Sequence, residues 1–203
     1  MKKNIAVFAS GNGTNLQAII DNIAAGKLKA RIALVVSDQR GAFALKRAQR
    51  AGINTLYLDP KGFKTKQDYE KFIIERLKKE NVELVALAGF MRILSPFFIK
   101  KYKNRILNIH PALLPAFKGA HAIRDAYRYG VKVTGVTVHF VDEKVDHGPI
   151  ILQGSETVSG SAEPESVREL EKRIHKLEHK MYSAAIGKVL SGRLYIRGRR
   201  TVC

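Results

Sequence analysis

Short apolar runs alternate with amphipathic stretches along the chain, the pattern left by βαβ units that build a parallel sheet. NIAVFA predicts a first strand and residues 15 to 25 a helix; RIALVVS predicts a second strand, followed by a helix over AFALKRAQRAG that Gly52 closes. NTLYL reads as a short third strand and residues 65 to 80 as a charged amphipathic helix. ELVALAG has almost no polar position, which marks a fourth strand covered on both faces. The pattern then changes. RILNIH is a fifth strand stopped by Pro111, the loop PALLPAFKGA leads to a helix from about His121 to Tyr129, and KVTGVTVHFV and PIILQGSETV are long alternating strands of the antiparallel kind. Residues 166 to 190 read as a closing helix. The expected fold class is α/β, with a Rossmann-like N-terminal half on a parallel sheet, extended by long, partly antiparallel strands and a C-terminal helix. No repeat, low-complexity segment or linker divides the pattern, so one domain over 1-203 is expected.

A chain of 203 residues with 45% apolar and 27% charged positions can bury one sizeable core. The apolar run after Met1 meets Gly11 too soon for a signal segment or a membrane span, which predicts a cytoplasmic protein without membrane partners. The single cysteine, Cys203, leaves no intrachain disulfide and no thiolate cage. Charge changes the picture more. Thirty-six Lys and Arg against 18 Asp and Glu give +18, which favours anionic ligands. From Leu84 to Arg124 no residue is acidic, while Arg92, Lys100, Lys101, Lys103, Arg105, Lys118 and Arg124 fall there; after Glu178 the chain is again purely basic. A solvated basic surface accounts for the tail equally well.

The first strand runs into GNGTNLQ. A dinucleotide fingerprint would be G-x-G-x-x-G with an acidic residue after the second strand. Gly11 and Gly13 fit and Asp38 is suitably placed, but the third glycine position is Leu16. The narrower reading is a phosphate monoester held on the N–H groups opening a helix at Thr14 and Asn15. Thr14 also suits a purely structural N-cap.

Residues two apart on a strand share a face, so Asn108 and His110 project together where Pro111 ends the fifth strand. A carboxamide that can donate to a developing oxyanion and an imidazole that exchanges protons near neutral pH suit acyl transfer; a structural hydrogen-bonding role is the alternative. Within VDEKVDHGP, Asp146 is placed to support the imidazolium and orient water, while Asp142 and Glu143 read as solvated turn residues. His139, alternating with Thr137, points either into the same cleft or to solvent. HKLEH over residues 175 to 179 matches a zinc-protease pattern, but no acidic residue follows His179 to complete a ligand set, so no metal is expected. His175, Glu178 and His179 can still offer polar groups to a ligand.

In the order SGNGTNLQAI, LAGFMRILSP, LNIHPALLPAFKGAHAIRDA, GVTVHFVDE and VDHGPIILQ, the chain resembles the phosphoribosylglycinamide formyltransferases, a folate-dependent family, from Ile5 to about Leu194. The resemblance implies a division into a phosphate-binding half over 1-103, a catalytic and folate half over 104-192 and a basic tail over 193-203. It implies that Gly13, Thr14 and Asn15 bind the phosphate of a ribonucleotide and that Glu178 helps recognise its ribose or glycinamide end. Met91, Arg92, Ile93, Leu94, Asn108 and Val141 would line the folate site through to Asp146, with Lys66 a further contact. Asn108, His110 and Asp146 become the catalytic set for formyl transfer from 10-formyltetrahydrofolate, a co-substrate, to the glycinamide amine in purine synthesis. Partners would be small molecules, with the chain a monomer or homodimer. Lys118 stands where relatives usually have proline, and His147 replaces a small residue beside Asp146. The rival class, a basic nucleic-acid-binding module, calls for aromatic platforms; there is no Trp, and Tyr and Phe are scattered, so no specific nucleic-acid partner is expected.

Overall fold

A computed structural model of the chain describes residues 2 to 158 and 166 to 202; Cys203 lies outside them. The first seven strands follow the apolar runs: β1 (Lys3–Phe8), β2 (Ala30–Ser37), β3 (Thr55–Tyr57), β4 (Leu84–Leu87), β5 (Ile106–His110), β6 (Val133–Phe140) and β7 (Ile150–Thr157). They lie in one sheet in the order β3-β2-β1-β4-β5-β6-β7. The pairs among the first five are parallel, whereas β6 runs antiparallel to β5 and β7 antiparallel to β6.

Alternation on β1 sets the layers. Ile5 and Val7 share a core with Leu16 and Ile19 of α1 (Thr14–Ala24), Ala44 and Leu45 of α2 (Phe43–Arg50), and residues of α5 (Ala122–Tyr129) and α6 (Val167–Leu190). Ala6 and Phe8 share the opposite core with α3 (Lys66–Lys79) and α4 (Pro96–Lys101). Phe8 is fully buried, its ring edge-on to Phe90 at 5.2 Å and Phe98 at 6.0 Å; Phe8→Ala there would cost about 3–5 kcal/mol. The longest helix, α6, opens with a reciprocal capping box between Ser166 and Glu169.

Strand order reverses direction at β1, with β2 and β3 to one side and β4 and β5 to the other. Such a switch point opens a crevice at the carboxyl ends of the strands. The loops after β1, β4 and β5 all leave the sheet at that end.

Two elements differ from the sequence reading. Helix α4 spans six residues, too few for a visible period; Ser95 caps it and Pro96 occupies its first turn. The basic tail is an ordered hairpin, β8 (Tyr195–Arg197) and β9 (Arg200–Val202), turning at Gly198, whose φ is 62°. It extends the sheet through a parallel contact of Arg200 with Ile150. Three-residue strands flanked by arginine carry no alternation to read. Among the described residues, no helix is long and apolar enough to cross a membrane.

Candidate active site

Gly13 is the N-cap of α1, in the left-handed region at φ 67°, and a Cβ there would lie 2.7 Å from the Ala44 Cβ and 2.8 Å from its Cα. Only glycine satisfies both conditions. Thr14 is therefore not the cap but the first helical residue, and no side chain caps α1. Its first N–H groups, which have no intrahelical partner, open beside Gly11 to Asn15 on the wall of a cleft of about 660 Å³. Helix α2 tethers the loop: Ala44 N–H donates to Gly11 O at 3.1 Å, and Arg47 Nε to Asn12 O at 2.9 Å. Asp38 does not await a ribose. Its Oδ1 accepts from Ser10 Oγ at 2.6 Å, and that hydroxyl accepts the Met91 N–H at 2.9 Å.

Asn108 and His110 leave β5 on the same face, as the spacing requires, and both line the cleft. Asp146 reaches them from the β6–β7 connection, in a left-handed conformation at φ 47°. Its Oδ2 lies 3.3 Å from His110 Nδ1 and accepts the Gly119 N–H at 2.9 Å; its Oδ1 accepts from Asn108 Nδ2 at 3.3 Å. The other imidazole nitrogen of His110, Nε2, is 2.8 Å from Phe117 O. Both ring nitrogens thus face acceptors, and a doubly protonated ring satisfies both. Burial alone would push the Asp146 carboxyl up, but the His139 imidazole, the Gly119 amide and the charge of His110 outweigh it and hold the carboxyl below its ordinary value.

His139 belongs to this cluster, pairing with Asn108 across the β5–β6 ladder and buried to 2% exposure. Its Nε2 is 3.7 Å from Asp146 Oδ1 and donates toward it when the ring carries both protons; with the proton on Nδ1 alone, which donates to Phe140 O at 2.8 Å, Nε2 is instead an acceptor, 3.2 Å from Asn108 Nδ2. Both Asn108 hydrogens are then engaged, by His139 and Asp146, and a developing oxyanion must take one of them. The alternation with Thr137 pointed to His139 without choosing its face. Thr137 itself is structural: its hydroxyl donates to Ala112 O at 2.7 Å and accepts from Leu114 N at 3.0 Å, shaping the loop after Pro111.

The opposite wall is apolar. Met91 is 70% exposed and Ile93 64%, which leaves two large side chains on the cleft rim next to Leu94, Arg92 and Val141. This segment is anchored at both ends, by Ser10 at Met91 and by buried Glu70, which accepts the Ser95 N–H at 2.8 Å and pairs with its hydroxyl. Neither anchor was visible in sequence, because each partner lies far along the chain. Lys66 is not brought to the site: it is exposed at the start of α3, and no cleft wall includes it. Asp142 is not simply solvated either, since its carboxylate accepts from Lys144 N at 3.0 Å and pairs with His147 Nδ1 at 2.7 Å.

Glu178 of α6 is buried at the phosphate-loop end of the cleft, where its Oε2 accepts from Asn15 Nδ2 at 3.3 Å and meets His175 Nδ1 at 2.8 Å. That hydrogen bond, more than the Glu178 charge, holds the imidazole of half-exposed His175 above its ordinary value against its partial desolvation. Burial pushes His179 down, and its Nε2 has no hydrogen-bond partner. The two histidines of HKLEH therefore have different surroundings, His175 paired with Glu178 and half-buried His179 with its Nε2 atom enclosed and without a partner.

The formyl transferase family matches residues 3 to 186. A phosphoribosylglycinamide formyltransferase of Bacillus subtilis (strain 168) is 44% identical over 188 residues, 93% of this chain and 95% of that protein. The trifunctional purine biosynthetic protein adenosine-3 of Gallus gallus is 43% identical over 202 residues; the match spans all of this chain but 20% of that protein. The crystal structure of glycinamide ribonucleotide transformylase 1 from Symbiobacterium toebii superposes with a TM-score of 0.94 at 46% identity, covering 98% of this chain and 93% of that one.

Proposed function

The chain belongs to the formyl transferase family, and from that premise we propose that it transfers the formyl group of 10-formyltetrahydrofolate to the amine of 5-phosphoribosylglycinamide, in purine biosynthesis. One observation carries the reading. Asn108, His110, His139 and Asp146 meet on the floor of a single cleft whose walls are a helix N-terminus on one side and exposed apolar side chains on the other. The first suits a phosphate; the second suits the flat pterin of a folate.

In this scheme Gly13, Thr14 and Asn15 hold the phosphate, and Glu178, already bonded to Asn15, receives the ribose or glycinamide end. Met91 to Leu94 and Val141 take the pterin. The glycinamide nitrogen attacks the formyl carbon, and the carbonyl oxygen becomes an oxyanion held by one hydrogen of Asn108 and by the Nδ1–H of His110, which it shares with Asp146. As the tetrahedral centre collapses, the bond to N10 of the folate breaks; the attacking nitrogen gives up a proton and N10 gains one. Asp146 orients the His110 ring through Nδ1 and passes the proton through water. Both substrates are anionic, and the acid-free basic stretch from Leu84 to Arg124 steers them to the cleft. We propose that the chain acts as one unit of this kind in the cytoplasm, with small molecules as its partners.

The test is spectroscopic: folate deformylation followed with and without the glycinamide ribonucleotide. Turnover should require the ribonucleotide. Equal turnover without it would make the protein a hydrolase and overturn the assignment.

A further inference from the structure

The segment that carries Asp146 is held from outside the catalytic cluster. Between β6 and β7, residues 141 to 149 leave the sheet and form one wall of the cleft with Val141 to Asp146. The excursion is tight, since a Cβ on Gly148 would lie 1.8 Å from Phe140 O. Asp146 itself is a non-glycine residue at φ 47°, a conformation that persists only when the surroundings determine it.

Part of that determination comes from the C-terminal hairpin. Arg199, at the turn between β8 and β9, donates from Nη2 to His147 O at 2.7 Å, and its Nη1 is 3.1 Å from His147 Nε2. His147 Nδ1 is 2.7 Å from Asp142 Oδ2. The proton on His147 Nδ1 goes to Asp142, and Arg199 Nη1, 3.4 Å from Nδ1 as well as 3.1 Å from Nε2, lies against the imidazole ring instead of in line with either nitrogen. Asp142 in turn receives the Lys144 N–H. The hairpin is seated on β7 by Thr201 Oγ1 donating to Ile150 O at 2.8 Å and by the pairing of Arg200 with Ile150. Neither Arg199 nor His147 lines the cleft.

We propose that the C-terminal hairpin is a strap and Arg199 a positioning residue, which acts through His147 and Asp142 to fix the loop bearing Asp146 and so the folate side of the cleft. This deepens the formyl-transfer reading and rests on it for its kinetic consequence. The phosphate loop is tethered separately, by Arg47 and Ala44 of α2, so loss of the strap should separate the two substrates.

The experiment compares Arg199→Ala and Arg199→Lys with the full-length wild type. It measures hydrogen exchange of amides 142 to 147 in the free protein and KM for each substrate. Arg199→Ala should accelerate exchange in that segment and raise KM for 10-formyltetrahydrofolate about tenfold, with KM for the ribonucleotide unchanged. Lysine keeps the charge but not the fork, so Arg199→Lys should recover only part of the loss. The double variant Arg199→Ala/His147→Ala should be no worse than Arg199→Ala alone, because both break the same chain of contacts. Unchanged exchange, or an equal rise in both KM values, would reduce the hairpin to a cover for the sheet edge and overturn the proposal. Exchange is read without substrate, so a wild type unable to transfer formyl groups would sink the functional reading and leave the exchange result standing on its own.

Discussion

Replacing Asp146 by asparagine isolates the charge in the catalytic cluster while keeping its shape. The carboxylate and the His110 ring lie 3.3 Å apart, both nearly buried, and at an effective dielectric of about 20 the attraction between unit charges at that distance is about 5 kcal/mol. The amide also brings a hydrogen-bond conflict. Its oxygen must take the Oδ2 position, where Gly119 N–H donates. Its NH₂ then faces the NH₂ of Asn108, which has to turn over and withdraw the donor meant for the oxyanion. Asp146→Asn should therefore lower kcat by roughly a thousandfold, most of the estimated attraction, while both KM values stay within about threefold. The assay is steady-state folate deformylation with saturating ribonucleotide. His110→Ala should lose as much, and Asp146→Asn/His110→Ala should be little worse than His110→Ala, since groups that act jointly are strongly non-additive. Losses that multiply in the double variant, or an Asp146→Asn turnover within tenfold of wild type, would refute the coupled mechanism and leave Asp146 as a folate-positioning residue.

Gly13→Val is a poor probe of the phosphate loop because its side chain would run into the Ala44 backbone and strain φ; Thr14→Val, exposed at the helix opening, should instead weaken ribonucleotide binding about tenfold and spare folate, by calorimetry. Equal weakening of both ligands would make the loop merely architectural. The His175–Glu178 pair raises the His175 value above 6.5, so its stabilisation is complete below pH 6.5 and is lost as pH rises through the folded value. His175→Gln should accordingly lower Tm most at acidic pH and least at alkaline pH, and a constant difference would contradict the pairing. Turnover should survive exhaustive chelation, because one ring nitrogen each of His110 and His139 is taken by a backbone carbonyl and the others face Asp146 and Asn108; activity lost to a chelator and restored by zinc would overturn this.

Long periodic elements were legible in the sequence almost to the residue. NIAVFA became β1 displaced by one position, and the helix read from residue 15 begins at Thr14. An amphipathic period repeated over many residues leaves few alternatives, whereas the strand order β3-β2-β1-β4-β5-β6-β7 came from the structure and not from the pattern. The same reasoning placed Asn108, His110 and Asp146 together, since two of them share a strand face and the third sits in a turn closed by Gly148 and Pro149. Helix α4 and the hairpin were missed because neither is long enough to show a period. Lys66 rested on the resemblance alone, and it lies at the exposed start of α3, outside the residues that line this cleft.

What remained hidden in the site is built from groups that sequence patterns do not encode. The partners of the proposed catalytic side chains include Phe140 O at the end of β6 and, in the loop after β5, Phe117 O and Gly119 N–H, where Phe117 and Gly119 both take left-handed φ values. The anchors of the apolar wall, Ser10 and Glu70, act on Met91 and Ser95 from elements remote in the chain. Each is a polar group that is stable under burial only when a distant partner arrives in place. In the proposed mechanism Asn108, His110 and Asp146 carry the chemistry, while the distances between them are set by residues with no chemistry of their own. A substitution at Glu70, Ser10 or Arg199 should for that reason alter substrate affinity before it alters the identity of the reaction.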